Sequence, residues 1–324
     1  MFLRLLCLSA AMALLAFASK SSALPTEIFI FAIAALGFNI LYGMFGLLSF
    51  GHSVFFGGAA YVCAVVATKY QLSAPLVTLL GGLVGLAVAT LFSLLSIRTK
   101  GIYFVMLTLT LGQVGYFLAL ALPQFTGGEN GLSAVVRPDV TFFDWKMFDL
   151  QAPGAFLAYC AVALLVTFAF VERLSKSPLG SVLNAIRMNE RRSEALGYSL
   201  GGYRLVAFAL SGFITGIAGS LYASFLRFVP LNVVDIETAE KLVIMAIIGG
   251  LRTSMGPVIG AAVFLAIADV LAPIWPRWMM LMGLLLIVGV IGLRGRGIVD
   301  VVGDAFDRAR KSRALPAVSA GAAK

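Results

Sequence analysis

A chain of 324 residues that is 60% hydrophobic and 12% charged, with a mean hydropathy of +1.00, has too little polar surface to close a soluble globule. Soluble domains carry about 25% charged residues, so lipid must be the solvent for much of this chain, and the composition reads as a polytopic membrane protein. The net charge of +9 collects mid-chain and near the end (Arg294, Arg296, Arg308, Arg310, Lys311, Arg313). That asymmetry marks cytoplasmic segments rather than a nucleic-acid footprint, and no nucleic-acid partner is expected.

In chain order, residues 1–26 come first. Arg4, a short apolar stretch and small residues at Ala16-Phe17-Ala18 suit either a signal peptide or a first transmembrane helix. A multi-spanning protein needs no cleaved signal, which favours a retained helix. Further apolar runs lie at 27–48, 53–68, 74–97, 102–122, 155–173, 204–226, 241–253, 256–272 and 278–293. With residues 2–18 they predict an all-α protein of about ten transmembrane helices. Several runs are near the minimum length, so broken or re-entrant segments are expected. Arg4, Arg98, Lys100, the mid-chain basic segment and the tail fall on one side if both termini are cytoplasmic. The loop with Asp139, Asp144 and Asp149 and the turn with Asp235 and Glu237 then fall outside.

The segment Phe38–Tyr61 is apolar but interrupted by Gly43, Gly46, Gly51, Gly57 and Gly58. Asn39, Ser49, His52 and Ser53 lie in or beside it, and unwound backbone at membrane depth is tolerated only against protein or a water-filled cavity. Those four residues, with Thr108 and Gln113, are the candidate translocation pathway. Thr110, Ser211, Thr215 and Asp269 are further polar groups in spans, with Asp269 near an outer end where a capping role suits it. His52, the one histidine, fits a structural donor better than a proton relay. Gly81-x-x-x-Gly85, Gly212-x-x-x-Gly216 followed by Gly219, and Gly256-x-x-x-Gly260 predict close helix packing within the subunit rather than a dimer seam. Thr126–Ser133 (TGGENGLS) is turn chemistry first and could also serve an external partner. Cys7, Cys63 and Cys160 are far apart in apolar runs, so neither a disulfide framework nor a metal site is expected.

The island Ser177–Arg204 carries Arg187, Arg191, Arg192 and Arg204 against Glu190 and Glu194. Ser177-Pro178 predicts an N-cap followed by proline at the first helical position. Leu179, Val182, Leu183 and Ile186 recur at helical spacing and give one apolar face. A second short helix is expected from about Glu190 to Leu196, closed by a left-handed Gly197. The pair suits either a handle for a soluble partner or a membrane-surface helix pair. No phosphate-binding G-x-x-x-x-G-K-[ST] loop, H-E-x-x-H motif or nucleophile elbow occurs. The chain is expected to be no enzyme and to need no cofactor; any ATP would be handled by another chain.

Four stretches together resemble one family: Gly46–Tyr61, Thr126–Ser133, the island running on into SGFITGIAGSLYA, and Glu240–Phe264. It is the LivM-type inner-membrane permease subunit of bacterial ABC importers for branched-chain amino acids, and the resemblance covers roughly residues 27–300. It implies a permease fold similar to that of the cobalamin importer, in the bacterial inner membrane. The implied partners are a homologous second permease, two cytoplasmic ATP-binding subunits and a periplasmic solute-binding protein, with membrane lipid as solvent. Residues 27–300 would be the permease domain, 174–203 its coupling segment and 301–324 a basic cytoplasmic tail. The implied ATPase-coupling residues are Leu183, Arg187, Glu190, Arg191, Arg192, Glu194 and Gly197. Glu194-Ala195-Leu196-Gly197 is similar to the E-A-A…G loop of such importers but lacks its second alanine and downstream I-x-L-P. Family cargo includes leucine, isoleucine and valine, other amino acids, amides or urea. An ion-coupled secondary transporter is the competing reading and would need an acid or histidine at mid-membrane, which only Asp269 and His52 approach. A membrane enzyme would show clustered His, Asp or Arg beside a pocket, and a scaffold would not need broken polar helices.

Overall fold

The computed structural model describes residues 8–12, 22–70, 72–133, 135–142, 145–251, 253–292 and 297. Arg4, Cys7, the Ala16-Phe17-Ala18 run, Asp144 and the basic residues Arg294, Arg296, Arg308, Arg310, Lys311 and Arg313 lie outside the described residues, and of the expected first helix only 8–12, helical, is described.

The chain is helical almost throughout. Helix α1 (Ala23–Asn39) runs on as a π-helix, Ile40–Phe45, and is followed by α2 (His52–Tyr70), α3 (Ala74–Ser96) and α4 (Ile102–Ala121). A one-turn α5 (Pro123–Thr126) and a two-stranded antiparallel hairpin, β1 (Val140–Phe142) and β2 (Trp145–Phe148), lead into α6 (Pro153–Ser175). Then come α7 (Pro178–Met188), α8 (Glu190–Ala195), α9 (Leu200–Leu226), α10 (Ile236–Gly249), α11 (Met255–Leu271) and α12 (Trp278–Gly292).

Among the described residues six helices are long and apolar enough to cross a membrane: α1 with its π-helical extension, α2, α3, α4, α6 and α9. The expected runs 241–253 and 256–272 form α10 and α11, of 14 and 17 residues. At 1.5 Å per residue α10 is about 21 Å long, short of a ~30 Å hydrocarbon core. It gains its stability by pairing with α11, where Gly249 lies against Gly256 and Gly260 so closely that a Cβ would overlap backbone. With no gain in solvophobic energy between helices in lipid, such backbone contact is what holds a short hairpin together.

From Ile28 to Phe38 helix α1 is apolar on every side, and that pattern demands burial all round. Ile30, Ile33 and Leu36 are wholly shielded, and α6, α9, α10 and α11 ring this central pillar. The closest pairing is α9 on α3, made by the glycine motifs: Gly81 and Gly85 face Gly212, Gly216 and Ser220, and Gly219 faces the Phe56 carbonyl of α2. The motifs therefore pack within the subunit. Cys63 and Cys160 are free and buried in the core.

Charge patterning separates the loops into two sets, and the two sets gather at opposite ends of the bundle. At one end Lys100 pairs with Glu190 of the island at 3.2 Å, and Arg204 donates to the carbonyls of Ile97 and Thr99 at 3.1 and 3.0 Å. At the other, Leu132 bridges Val229, Asp139 accepts from the Ala74 amide, and Arg227 donates to Gln151.

Candidate functional site

The island folds as its sequence dictates. Ser177 Oγ accepts from the Gly180 amide at 3.2 Å, and Pro178 supplies the first helical residue, whose missing N–H costs nothing there. Helix α7 presses Leu183 and Ile186 inward, both buried, and leaves Ser181 and Ala185 outside. Asn189 ends α7 and caps α8, its Oδ1 accepting from the Arg192 amide at 3.0 Å. Gly197 closes α8 at φ +88°, with its amide on the Glu194 carbonyl and that of Tyr198 on Ser193, as a left-handed cap requires. Two capped helices with a buried face make a stiff body.

What that body shows to the aqueous phase is mixed. Arg191, Arg192, Glu194 and Gly197 are exposed, and beside them Met188 and Leu196 are 86% and 72% exposed. Basic groups interleaved with bare apolar side chains form a surface suited to a protein partner.

The same body is tied to the membrane core. Arg187 turns back and donates through Nη1 to the Gly43 carbonyl, inside the π-helical end of α1. A π-helix leaves its carbonyls out of the regular i→i−4 ladder, so an outside donor is welcome. Gly46 then reverses the chain at φ +90°, and a Cβ there would stand 2.9 Å from Arg187 Cγ, so glycine is needed for conformation and for space. Arg204 differs from the expected outward island charge: it is buried in α9, capping the α3 end, with its guanidinium 4.7 Å over the Phe104 ring. It locks the island's exit to α3 and α4, with Glu190 lining the same small pocket.

Unwinding in the glycine-rich stretch is confined to Gly46–Gly51; α2 is helical through Gly57 and Gly58. Polar side chains fasten this segment. Phe50 donates its amide to Thr108 Oγ1 of α4 at 3.3 Å, and Gly51 donates to Ser49 Oγ at 3.2 Å. His52 lies between the Ser49 carbonyl at Nδ1 (3.1 Å) and Ser211 Oγ of α9 at Nε2 (2.8 Å), flanked by Phe38 and Phe55. Ser211 Oγ also lies 2.7 Å from the Gly37 carbonyl of α1, so its one proton serves either that carbonyl or His52 Nε2, and the tautomer of the ring follows that choice. His52 is thereby a bolt joining the unwound segment to α9.

Of the six pathway candidates, Ser49, His52 and Thr108 are thus brought together around residues 46–52. Ser53 and Asn39 are buried near this segment, and Ser53 Oγ and Asn39 Oδ1 have no hydrogen-bond partner. Gln113 stands apart, half-buried on α4 more than a turn beyond Thr108.

At the opposite end Thr126 Oγ1 donates to the Ala119 carbonyl at 2.6 Å and accepts from the Gly128 amide at 3.2 Å, while Gly127, Gly128 and Gly131 all take positive φ. The turn leaves Glu129 and Asn130 exposed. Beneath it, Arg137 donates to three carbonyls, Ser224 (2.9 Å), Leu150 (3.2 Å) and Phe225 (3.0 Å), and lies 4.2 Å over the Phe156 ring. Burial, then the neighbouring Arg227, push its guanidinium below the ordinary arginine range. Sequence reasoning passed over Arg137, yet an arginine among Glu129, Asp139, Asp144 and Asp149, in a loop expected to lie outside, goes against the positive-inside pattern and was the signal to find it.

A family model described as branched-chain amino acid transport system / permease component matches residues 22–290. The high-affinity branched-chain amino acid transport system permease protein LivM of Salmonella typhimurium is 32% identical over 80% of this chain, and that of Escherichia coli 30% over 80%. The matched stretch spans 65% of the length of each of those relatives. The autoinducer 2 import system permease protein LsrC of Yersinia pestis is 27% identical over 65% of this chain and 63% of its own length. No solved structure matches the chain. A family match covering both ends of the helical bundle, with the island and the glycine-broken segment inside it, means that this chain belongs to the family of branched-chain amino acid transport system permease components.

Proposed function

We propose that this chain is the permease subunit of an ABC importer, forming with a homologous second permease the path for branched-chain or related amino acids. Two ATP-binding subunits drive it from the cytoplasm, where the island end faces, and a periplasmic solute-binding protein delivers cargo to the end that carries Glu129 and Asn130. The chain itself makes and breaks no bonds, and it resides in the bacterial inner membrane. The observation that carries this reading is the island: a rigid, twice-capped helix pair whose outer face is bare arginine, methionine and leucine and whose inner face is bonded to the central pillar. Arg191, Arg192, Glu194 and Gly197 meet the ATPase; Leu183, Arg187 and Glu190 pass its movement inward. Helix α4, with Ile102, Tyr103, Met106 and Phe117 exposed, is the seam for the second permease. Asn39, Ser49, His52, Ser53, Thr108 and Gln113 form the polar layer behind that seam, along the path.

Reversing charge at both Arg191 and Arg192 to glutamate tests this. The reconstituted importer is expected to lose substrate uptake while the subunit still inserts and folds. Uptake at the wild-type rate in the double variant would refute the role given to the island.

A further inference from the structure

Helices α2, α3 and α4 enclose a groove of about 580 Å³. Ligand pockets run from about 300 to 1,000 Å³, so it has room for an occupant. Val54, Gly58 and Val62 of α2, Leu91 and Leu95 of α3 and Leu118 of α4 line it. All three helices are long and apolar enough to cross a membrane, which sets the groove at bilayer depth. Among the described residues lining it, only Tyr61 and Thr126 carry a polar side-chain group. The Tyr61 hydroxyl is buried out of reach, and Thr126 Oγ1 is engaged by the Ala119 carbonyl and the Gly128 amide. Water in such a space needs two to four polar partners and finds none. A charged solute is excluded for the same reason, so the occupant is apolar.

Two adjacent glycines of α2 differ in what they meet. A Cβ at Gly57 would stand 2.5 Å from Val234 Cγ2, so protein packing requires that glycine. A Cβ at Gly58 would meet nothing within 4 Å, and Gly58 faces the groove. Glycine in a helix interior is destabilising relative to alanine, and no protein contact calls for it here; what it does is keep the groove wide. The lips are apolar as well, with Leu91, Leu95 and Leu118 exposed. On α4, Leu111, Leu118 and Leu122 face the groove and lie more than a third of a turn from Ile102, Met106 and Phe117 of the proposed permease seam. The groove therefore opens beside that seam and not into it.

One end of the groove meets charge. Val88, Leu91 and Leu95 form a stripe along α3. Ile97, just past the helix, keeps helical backbone angles (φ −58°, ψ −30°), so Arg98 continues the stripe three residues beyond Leu95. Arg98 is exposed and makes no ion pair among the described residues, whereas its neighbour Lys100 is held by Glu190. We infer that the groove holds one acyl chain of an anionic phospholipid whose headgroup lies against Arg98. An apolar slot that ends at an unpaired guanidinium is complementary to a long hydrocarbon chain with an anionic head. The leaflet, cytoplasmic, rests on the proposed orientation of the island; the site itself does not. Of α4, just Phe104, Thr108, Gly112 and Ala119 are buried. The chain thus braces the seam helix on a flank that protein leaves open.

The test is photolabelling of the full-length subunit in phosphatidylcholine nanodiscs doped with phosphatidylglycerol carrying a diazirine on one acyl chain, adducts being mapped by peptide mass spectrometry. Adducts are expected to concentrate on residues 62–66 and 111–122, above those on Val162 and Val166, which are exposed on α6. A matching diazirine phosphatidylcholine should label the groove about fivefold less, the difference one surface arginine makes to an anionic headgroup. Gly58→Leu fills the groove where no protein atom stands in the way, and should cut groove adducts several-fold while leaving α6 labelling unchanged. Arg98→Gln should erase the preference for phosphatidylglycerol, and Lys69→Gln, beyond Val62 and Val66 at the far end of α2, should keep it. Labelling spread evenly over groove and α6, or unmoved by Gly58→Leu, would overturn the site and leave an ordinary lipid annulus. A headgroup preference indifferent to Arg98→Gln would overturn the contact with Arg98. Groove adducts that vanish when the second permease is assembled alongside would overturn the lipid as occupant and make the groove a subunit interface.

Discussion

Replacing Arg187 by methionine removes the hydrogen bond that ties the island to the π-helical end of α1 while keeping much of the side chain's apolar bulk. The bond is charge-assisted, and such bonds contribute about 1.5–3 kcal/mol when desolvated. Arg187 is largely exposed outside that contact, so water can replace part of the loss and the lower end applies. A difference near 1.4 kcal/mol is about tenfold in the equilibrium between an engaged and a slack joint. The subunit should insert and fold normally, because Leu183 and Ile186 still anchor α7. In reconstituted importer, ATP hydrolysis should persist while substrate moved per ATP falls several-fold. Arg187→Lys should recover part of the loss, its shorter ammonium reaching the same carbonyl less well. If the methionine variant transports with the wild-type ratio of solute to ATP, then Arg187 carries no force and the joint lies elsewhere.

Other substitutions separate packing from function. Gly212→Leu places a side chain where a Cβ alone already overlaps Ala89 and Gly85, so α9 and α3 must part; the detergent-solubilised subunit should melt well below wild type, whereas Gly58→Ala, with nothing within 4 Å, should leave melting unchanged. Arg137→Met strips two carbonyl bonds from the α9 end and one from Leu150 and should lower stability by about 3 kcal/mol, read as faster proteolysis of the 122–152 loop in right-side-out membranes. His52→Phe keeps ring volume but leaves Ser49 and Ser211 without their shared partner; a destabilisation of about 2 kcal/mol is expected, and a variant as stable as wild type would refute the bolt.

The island was legible because its determinants are local. A serine before a proline, a heptad-like run of apolar residues and a glycine after the last helical turn each specify backbone geometry within a few residues, and all three hold. The glycine motifs were legible as contacts for the same reason, since small residues at i and i+4 share a face whatever they meet. Arg187 could be read only as a charge. Its partner is 144 residues away and is exposed by a π-helix that no local propensity announces. Arg204 misled because, in sequence, a basic residue at the edge of an apolar run looks solvated; what buries it is the α3–α4 corner.

The position of the joint follows from the kind of pillar it moves. Helix α1 is buried on all sides over most of its length, and close-packed apolar cores transmit displacement but offer nothing to grip. A push on α7 could slide past such a surface, because dispersion contacts resist shear weakly compared with a directed bond. The polar end of α1, where the helix loosens and Gly43 and Gly46 meet Arg187, is where the island applies force through a hydrogen bond. It is also where a loosened helix can change pitch without tearing the packed part, as two-state switching of a stiff element requires. A handle, a flexible collar and a rigid rod are needed in that order, and the chain places them in that order from Arg187 to Gly43 to Ile30.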